Sequence, residues 1–440
     1  MPPSHPVKTR PRSETEDRAL GLRPRGYLEE LNLFRVIACA AVLAQHSFIW
    51  ANMSTNFVGT GFITMLHLSR TCFFFLTGLV VCYAQITRPR SLMGFWRRRY
   101  WEVGVPYLAW TGIYLTYTLI TVNPSWNEAG AFLRHTVPLG YSQMYFVIVI
   151  FQFYLLFPLL LKFMRMTSHH GRVMAASLAF ALVVALIERY HAQFAPASDL
   201  THALNSFWPI SRDFLTYQEF FVAGLLVALH LDQVLDFVAR RHRQIFLVTA
   251  GVGVLEILWY MISVWTGSSL AQVSDIYQPA AVVWCLAAIA GLFSLSWWWE
   301  QRARSGRTRT LPSPVYLAGL TGGVFFAHSL FLNLIRSALD LSGLGTSLPW
   351  EAIVAILFVG TAGVTGTCVA IVLRTPLRWV LGGPLRSAQR SSYMALPPVS
   401  RAVRSAHRDA PSRNGQSVAH VAKALDSVSV GTLQPKGEHA

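Results

Sequence analysis

The stretch MYFVIVIFQFYLLFPLLL (Met144–Leu161) runs for eighteen residues without a charged side chain. A run of that length and polarity reads as a helix that crosses a lipid bilayer, because roughly 20 apolar residues match the hydrocarbon thickness. Nine further windows of similar character surround it: Leu31–Trp50, Gly61–Ala84, Val103–Val122, Val173–Ile187, Phe214–Leu231, Ile245–Trp265, Ala280–Trp299, Val315–Ile335 and Ala352–Leu373. The Val173–Ile187 window is short, and polar residues interrupt the Gly61–Ala84 and Val315–Ile335 windows. A soluble all-helical protein would carry charge along one face of each helix; these segments do not.

The whole chain fits that reading. Of its 440 residues, 53% are hydrophobic and only 13% charged, with mean hydropathy +0.40, whereas an ordinary soluble domain has about 25% charged residues. The chain is nevertheless basic, with 37 Lys+Arg against 21 Asp+Glu. Placed on the ten windows, 31 basic residues fall on the side of the N-terminus and 4 on the other, with Arg35 and Arg70 inside spans. By the positive-inside rule this predicts an all-α integral membrane protein of about ten transmembrane helices with both termini cytoplasmic. It also excludes nucleic acid as a partner, since the cations sit in short loops between spans rather than on a folded soluble face.

The expected organisation is a cytoplasmic N-terminal tail (1–30), a membrane domain (31–373) and a basic tail (374–440) rich in Ser, Arg, Ala and Gly. That last composition predicts disorder. The first 26 residues lack the apolar core of a cleaved signal peptide. Cys39, Cys72, Cys82, Cys285 and Cys368 lie in or beside apolar stretches with no CxxC spacing, which predicts neither a disulfide framework nor a metal centre.

Ionisable groups inside a bilayer are costly and mark function by default. The candidates are Arg35, His46, His67, Arg70, Glu219, Glu256 and His328. Arg35 and His46 are eleven residues apart, close to three turns, so they share a helix face about 16 Å apart along the axis. Arg35 can equally be a snorkelling arginine and His46 a satisfied core histidine. His67 and Arg70 read as interfacial, and the two glutamates as helix-to-helix hydrogen-bonding groups. A second cluster, Phe95-Trp96-Arg97-Arg98-Arg99-Tyr100-Trp101, precedes Val105-Pro106-Tyr107. Adjacent arginines flanked by aromatics can bind phosphates and stack a purine, or can serve as a topology anchor with an aromatic belt.

Five elements together resemble the membrane acyltransferase 3 family. Arg35 and His46 within ELNLFRVIACAAVLAQHS (Glu30–Ser47) are similar to the R-x10-H of its first helix, and FFFLTG (Phe73–Gly78) to its FFxLSG. FWRRRYWEVGVPY (Phe95–Tyr107) resembles its basic loop ending in PY. QMYFVIVIFQFYLLFPLL (Gln143–Leu160) resembles its fourth helix, and GGVFFAH (Gly322–His328) a late helix ending in histidine. The likeness runs from about Tyr27 to Leu373 in family order.

It departs where the second arginine of an RxxR pair would stand, at Tyr100, Trp101 or Glu102. Thr77 replaces a serine, and Met144-Tyr145 a Leu-Trp pair.

The resemblance implies a ten-helix enzyme of the cell (plasma or inner) membrane. It would move an acetyl or succinyl group from cytoplasmic acyl-CoA (acetyl-CoA or succinyl-CoA) to a hydroxyl of an envelope or exported glycan, with no metal. It implies His46 as the catalytic histidine, Arg35 orienting or charge-stabilising the acyl-CoA end, and Arg97, Arg98 and Arg99 on the CoA phosphates. Thr77, Tyr145, Glu219 and His328 are candidate site-lining residues. Such chemistry suits the residues: a neutral imidazole accepts the proton of an attacking hydroxyl, and a cation stabilises the thioester oxyanion. The competing reading is an exporter or flippase of a lipid-linked or polymeric glycan, its polar spans lining a path.

Overall fold

The computed structural model describes residues 28–194, 212–305 and 314–382. Most of the N-terminal tail, including residues 1–27, and the basic tail from residue 383 lie outside the described residues. Among the described residues the chain is helical with no strand, and eight helical segments are long and apolar enough to cross a membrane. The protein is therefore an all-α, multi-pass membrane protein.

Twelve helices carry the description: α1 (Leu31–Trp50), α2 (Phe57–Met65), α3 (Leu68–Thr87), α4 (Leu92–Val122), α5 (Trp126–Leu139), α6 (Tyr145–Met166), α7 (His170–Phe194), α8 (Gln218–Leu229), α9 (Leu231–Trp265), α10 (Pro279–Arg304), α11 (Pro314–Leu341) and α12 (Trp350–Val372). Two of the ten sequence windows fall outside the eight segments. Val103–Val122 belongs to α4, where its own Thr and Tyr residues, Trp110 and Pro106 dilute the apolar run. Phe214–Leu231 contains α8, only 12 residues long. The window that looked short, Val173–Ile187, lies within the 25-residue α7.

The interrupted second window is a broken helix. Asn56 caps α2 by accepting the Val58 and Gly59 N–H groups at 2.9 and 3.2 Å, and α2 ends at Met65. Leu66 and His67 form a turn, and α3 restarts at Leu68. The turn takes the His67 side chain off the helix axis, where it reaches the carbonyl of Ser274, 207 residues away in sequence, at 2.6 Å.

Two glycines set how closely α3 and α8 cross. A Cβ on Gly78 would run into the carbonyl of Phe221, and one on Gly224 into the carbonyl of Phe75. Small residues at helix crossings let backbones approach within a bilayer. The final glycine of FFFLTG is thus a packing requirement. Around this crossing, Phe74, Phe153, Phe157 and Phe221 are buried, with the Phe153 and Phe221 rings stacked 4.3 Å apart.

Helix α4 is 31 residues long, about 46 Å at 1.5 Å per residue, against a hydrocarbon core of about 30 Å. Its first turns, which carry the arginine block, therefore extend beyond an apolar layer. They are moored to α6 through a backbone defect. Pro158 has no N–H, so the carbonyl of Tyr154 loses its intrahelical donor, and Trp96 Nε1 donates to it at 2.9 Å. Tyr100 donates its hydroxyl to Phe151 O at 2.9 Å. Both aromatics pack against α6 and fix the arginines in place, rather than standing open to stack a ligand.

Candidate active site

The start of α1 is tied down by α10. Ser296 on α10 donates to the Glu30 carbonyl and accepts the Phe34 N–H at 3.1 Å. Arg304 at the end of α10 pairs with Glu29, Glu30 and Glu300 at 3.2, 3.4 and 3.0 Å. One turn further along α1, Arg35 lines a cavity of about 180 Å³. Arg88 and Arg90, just past α3, and Arg98 and Arg99 on α4 share that lining, which holds no acidic side chain. An adjoining cavity of about 330 Å³ shares Gln85, Arg90 and Phe95 and adds Lys162 and Arg165 from the end of α6. The start of α1, the end of α3, the start of α4 and the end of α6 thus share one basic face.

Within the arginine block the three residues differ. Glu102 holds Arg98 at 2.7 Å and Arg99 at 3.5 Å. Both line the cavity, whereas Arg97 is exposed and outside its lining. Five guanidinium groups with fork-shaped donors around a common space make a site for a polyanion such as a phosphate ester.

Three turns further along α1, at the other end of the bundle, the His46 ring lies 5.1 Å from the His328 ring, tilted by 50°. His328 is fully buried. Its Nδ1 faces the carbonyl oxygens of Val324 and Phe325 at 3.1 and 2.8 Å. Both neighbours are acceptors, so Nδ1 carries the proton and Nε2 the lone pair. That Nε2 is buried and has no hydrogen-bond partner among the described residues.

The backbone around His328 is braced by a buried chain. Ser329 donates to Gln143 Oε1 at 2.7 Å, Gln143 Nε2 to the Tyr114 hydroxyl at 2.8 Å, and that hydroxyl to Phe326 O at 2.9 Å.

Arg70 provides a cation at this end, linked through His67 to Gln45, the residue before His46. His67 is 3% exposed, and Arg70 and His67 are hydrogen-bonded to each other. Arg70 donates from Nη1 to the Tyr145 hydroxyl at 3.1 Å and from Nη2 to His67 Nδ1 at 3.2 Å.

His67 gives its Nε2 proton to Ser274 O, so its Nδ1 is an acceptor, shared with Gln45 Nε2 at 3.1 Å. Ser69 donates to Gln45 Oε1 at 2.9 Å, which sets the amide orientation. Gln45 is the residue before His46, so this network ties α1 to the broken α2–α3 turn beside the imidazole. In the same loop as Ser274, burial pushes the Asp275 carboxyl up, while the Tyr277 N–H and the Arg70 charge pull it partly back.

Among the candidate lining residues, His328 meets His46 and Tyr145 receives Arg70. Thr77 does not join them, as its hydroxyl is spent on the Phe73 carbonyl of its own helix at 2.7 Å. Glu219 is fully buried with neither carboxylate oxygen partnered among the described residues, beside Tyr217 and Tyr277 around a void of about 10 Å³. Gln45, Tyr217 and Tyr277 were missed by sequence reasoning.

A family model for an acyltransferase domain, that of the acyltransferase 3 family, matches residues 28–373. The chain belongs to this family. Acyltransferase 3 membership gives the site a chemistry: a membrane-embedded transfer of an acyl group from a donor to a hydroxyl acceptor. The matched region contains the basic cavities, the His46–His328 pair and the Arg70 network. No curated protein and no solved structure gives a significant match.

Proposed function

We propose that the protein is an O-acyltransferase of the cell membrane that takes an acetyl or succinyl group from cytoplasmic acyl-CoA to a hydroxyl of an envelope or exported glycan. The observation that carries this reading is the bipolar arrangement along α1: a cavity lined by five arginines at one end and a histidine pair at the other. The basic face corresponds to the cytoplasm, which agrees with the charge bias of the loops. The donor's phosphates then meet Arg35, Arg88, Arg90, Arg98 and Arg99. Its pantetheine arm runs about 16 Å along α1 to bring the thioester beside His46.

Under this assignment Arg35 serves the phosphate end of the donor rather than the acyl end. His46 accepts the proton of the acceptor hydroxyl as its oxygen attacks the thioester carbon. The carbon–sulfur bond then breaks, and the proton passes to the departing CoA thiolate, leaving an ester and CoA thiol. The His328 ring packs 5.1 Å from the His46 ring with an unpartnered acceptor at Nε2; an N–H of His46 turned towards it would aim the other nitrogen's lone pair at the hydroxyl.

The test is mass spectrometry of envelope glycans from cells expressing the wild type or His46→Ala. Loss of the added acetyl or succinyl mass, with the glycan still exported, supports the transferase. Glycan retained inside the cell supports the exporter.

A further inference from the structure

The same geometry leaves the acyl end of the reaction without the cation first expected there. Arg35 and His46 are about 16 Å apart along α1, and Arg35 lines the basic cavity of about 180 Å³. Negative charge develops on the thioester carbonyl oxygen when the hydroxyl attacks, and it is stabilised by donors fixed in advance at that place.

Arg70 meets those terms. It bonds the His67 ring at 3.2 Å, and that ring bonds Gln45, the residue before His46 on α1, at 3.1 Å; its described hydrogen-bond partners are neutral acceptors, the Tyr145 hydroxyl and the His67 Nδ1. These two bonds use two of a guanidinium's five N–H groups. Among the described residues no carboxylate makes an ion pair with it; Asp275, whose charge reaches it, stays outside that distance. A cation held in a membrane protein by neutral groups is expensive. Here it is also rigid, since Ser69, Gln45 and the Ser274 carbonyl fix the His67 ring that receives it.

We infer that Arg70 is the catalytic cation of the acyl transfer, donating to the thioester carbonyl oxygen as it becomes an oxyanion beside His46. This rests on the acyltransferase reading above. The hydroxyl oxygen bonds to the carbonyl carbon and the carbonyl π pair moves onto oxygen, facing Arg70. When that pair returns, the carbon–sulfur bond breaks, and His46 passes the hydroxyl's proton to the thiolate. No other reactant is needed.

The experiment uses membrane vesicles containing the full chain, radiolabelled acetyl-CoA and succinyl-CoA as donors, and an envelope glycan extract as acceptor. The apparent kcat and KM for the donor are measured for the wild type, Arg70→Met, Arg70→Lys, Arg35→Met and His46→Ala. Arg70→Met is expected to lower kcat by about 10²–10³-fold with donor KM within about threefold, and Arg70→Lys to recover part of kcat. Arg35→Met is expected to raise donor KM instead.

Should Arg70→Met lose abundance, Arg70→Lys decides: partial kcat supports the inference, and kcat as low as that of His46→Ala overturns it. A kcat for Arg70→Met within a few-fold of wild type, or a loss confined to donor KM, also overturns it. Activity remaining in His46→Ala, or none in the wild type, removes the acyltransferase reading and this inference together. An inactive His46→Ala beside a fully active Arg70→Met removes this inference alone.

Discussion

The imidazoles of His46 and His328 lie 5.1 Å apart, centroid to centroid, on helices α1 and α11, and only one of them has its proton position fixed by the backbone. The Val324 and Phe325 carbonyls hold His328 as the Nδ1–H form, so its Nε2 is an acceptor turned into the protein interior. Substituting His328 by alanine should leave His46 unaimed. Transfer is expected to fall about 10²-fold, a typical contribution of a positioned acid–base group, with donor KM little changed. Initial-rate kinetics in vesicles check this; a raised KM at unchanged kcat would move His328 to donor binding.

The arginine block should divide by position. Arg98→Ala and Arg99→Ala remove guanidinium groups from the basic cavity and are expected to raise donor KM several-fold, more so at low salt, where charge interactions are least screened. Arg97→Ala, outside that lining, should stay within about twofold of wild type at any salt. Equal effects of all three on abundance, with KM unchanged, would return the block to a topology anchor.

The α3–α8 crossing predicts a stability effect with no site chemistry in it. Gly78→Ala drives a Cβ into the Phe221 carbonyl, and overpacking of this kind costs about 1–3 kcal/mol. A lower melting temperature in detergent is expected, measured by the loss of a monodisperse peak on heating. Gly363→Ala, whose Cβ would meet nothing within 4 Å, is the matched control and should melt with the wild type.

Gln45 and His67 should act as one unit. Gln45→Met and His67→Phe each break the chain that steadies Arg70, and each should lower kcat by about tenfold. Combining them should add little, because residues of one hydrogen-bond network are non-additive. Fully additive losses in a double-mutant cycle would separate the two.

Much of the fold was legible in the sequence because a bilayer imposes long apolar runs and a charge bias. Met144–Leu161 and the Arg88–Arg99 region announce themselves through composition alone. The R-x10-H spacing correctly put Arg35 and His46 on one helix; the role of each depends on what the helix ends meet, which spacing does not encode. His67 and Arg70 read as interfacial residues of a window that breaks near Leu66. The break makes the site, since the turn delivers His67 to Ser274, 207 residues away. No local pattern specifies such a contact. Trp96 and Tyr100 were likewise open to a stacking role until the carbonyl left by Pro158 accounted for Trp96 and the Phe151 carbonyl for Tyr100.

The most direct measurement is label transfer from radiolabelled acetyl-CoA or succinyl-CoA to glycan in vesicles carrying the wild type or His46→Ala at matched abundance. The wild type should produce a base-labile, ester-linked label and His46→Ala none above vesicles lacking the protein. Equal ester labelling by the two would contradict the assignment of His46 as the centre of the transfer.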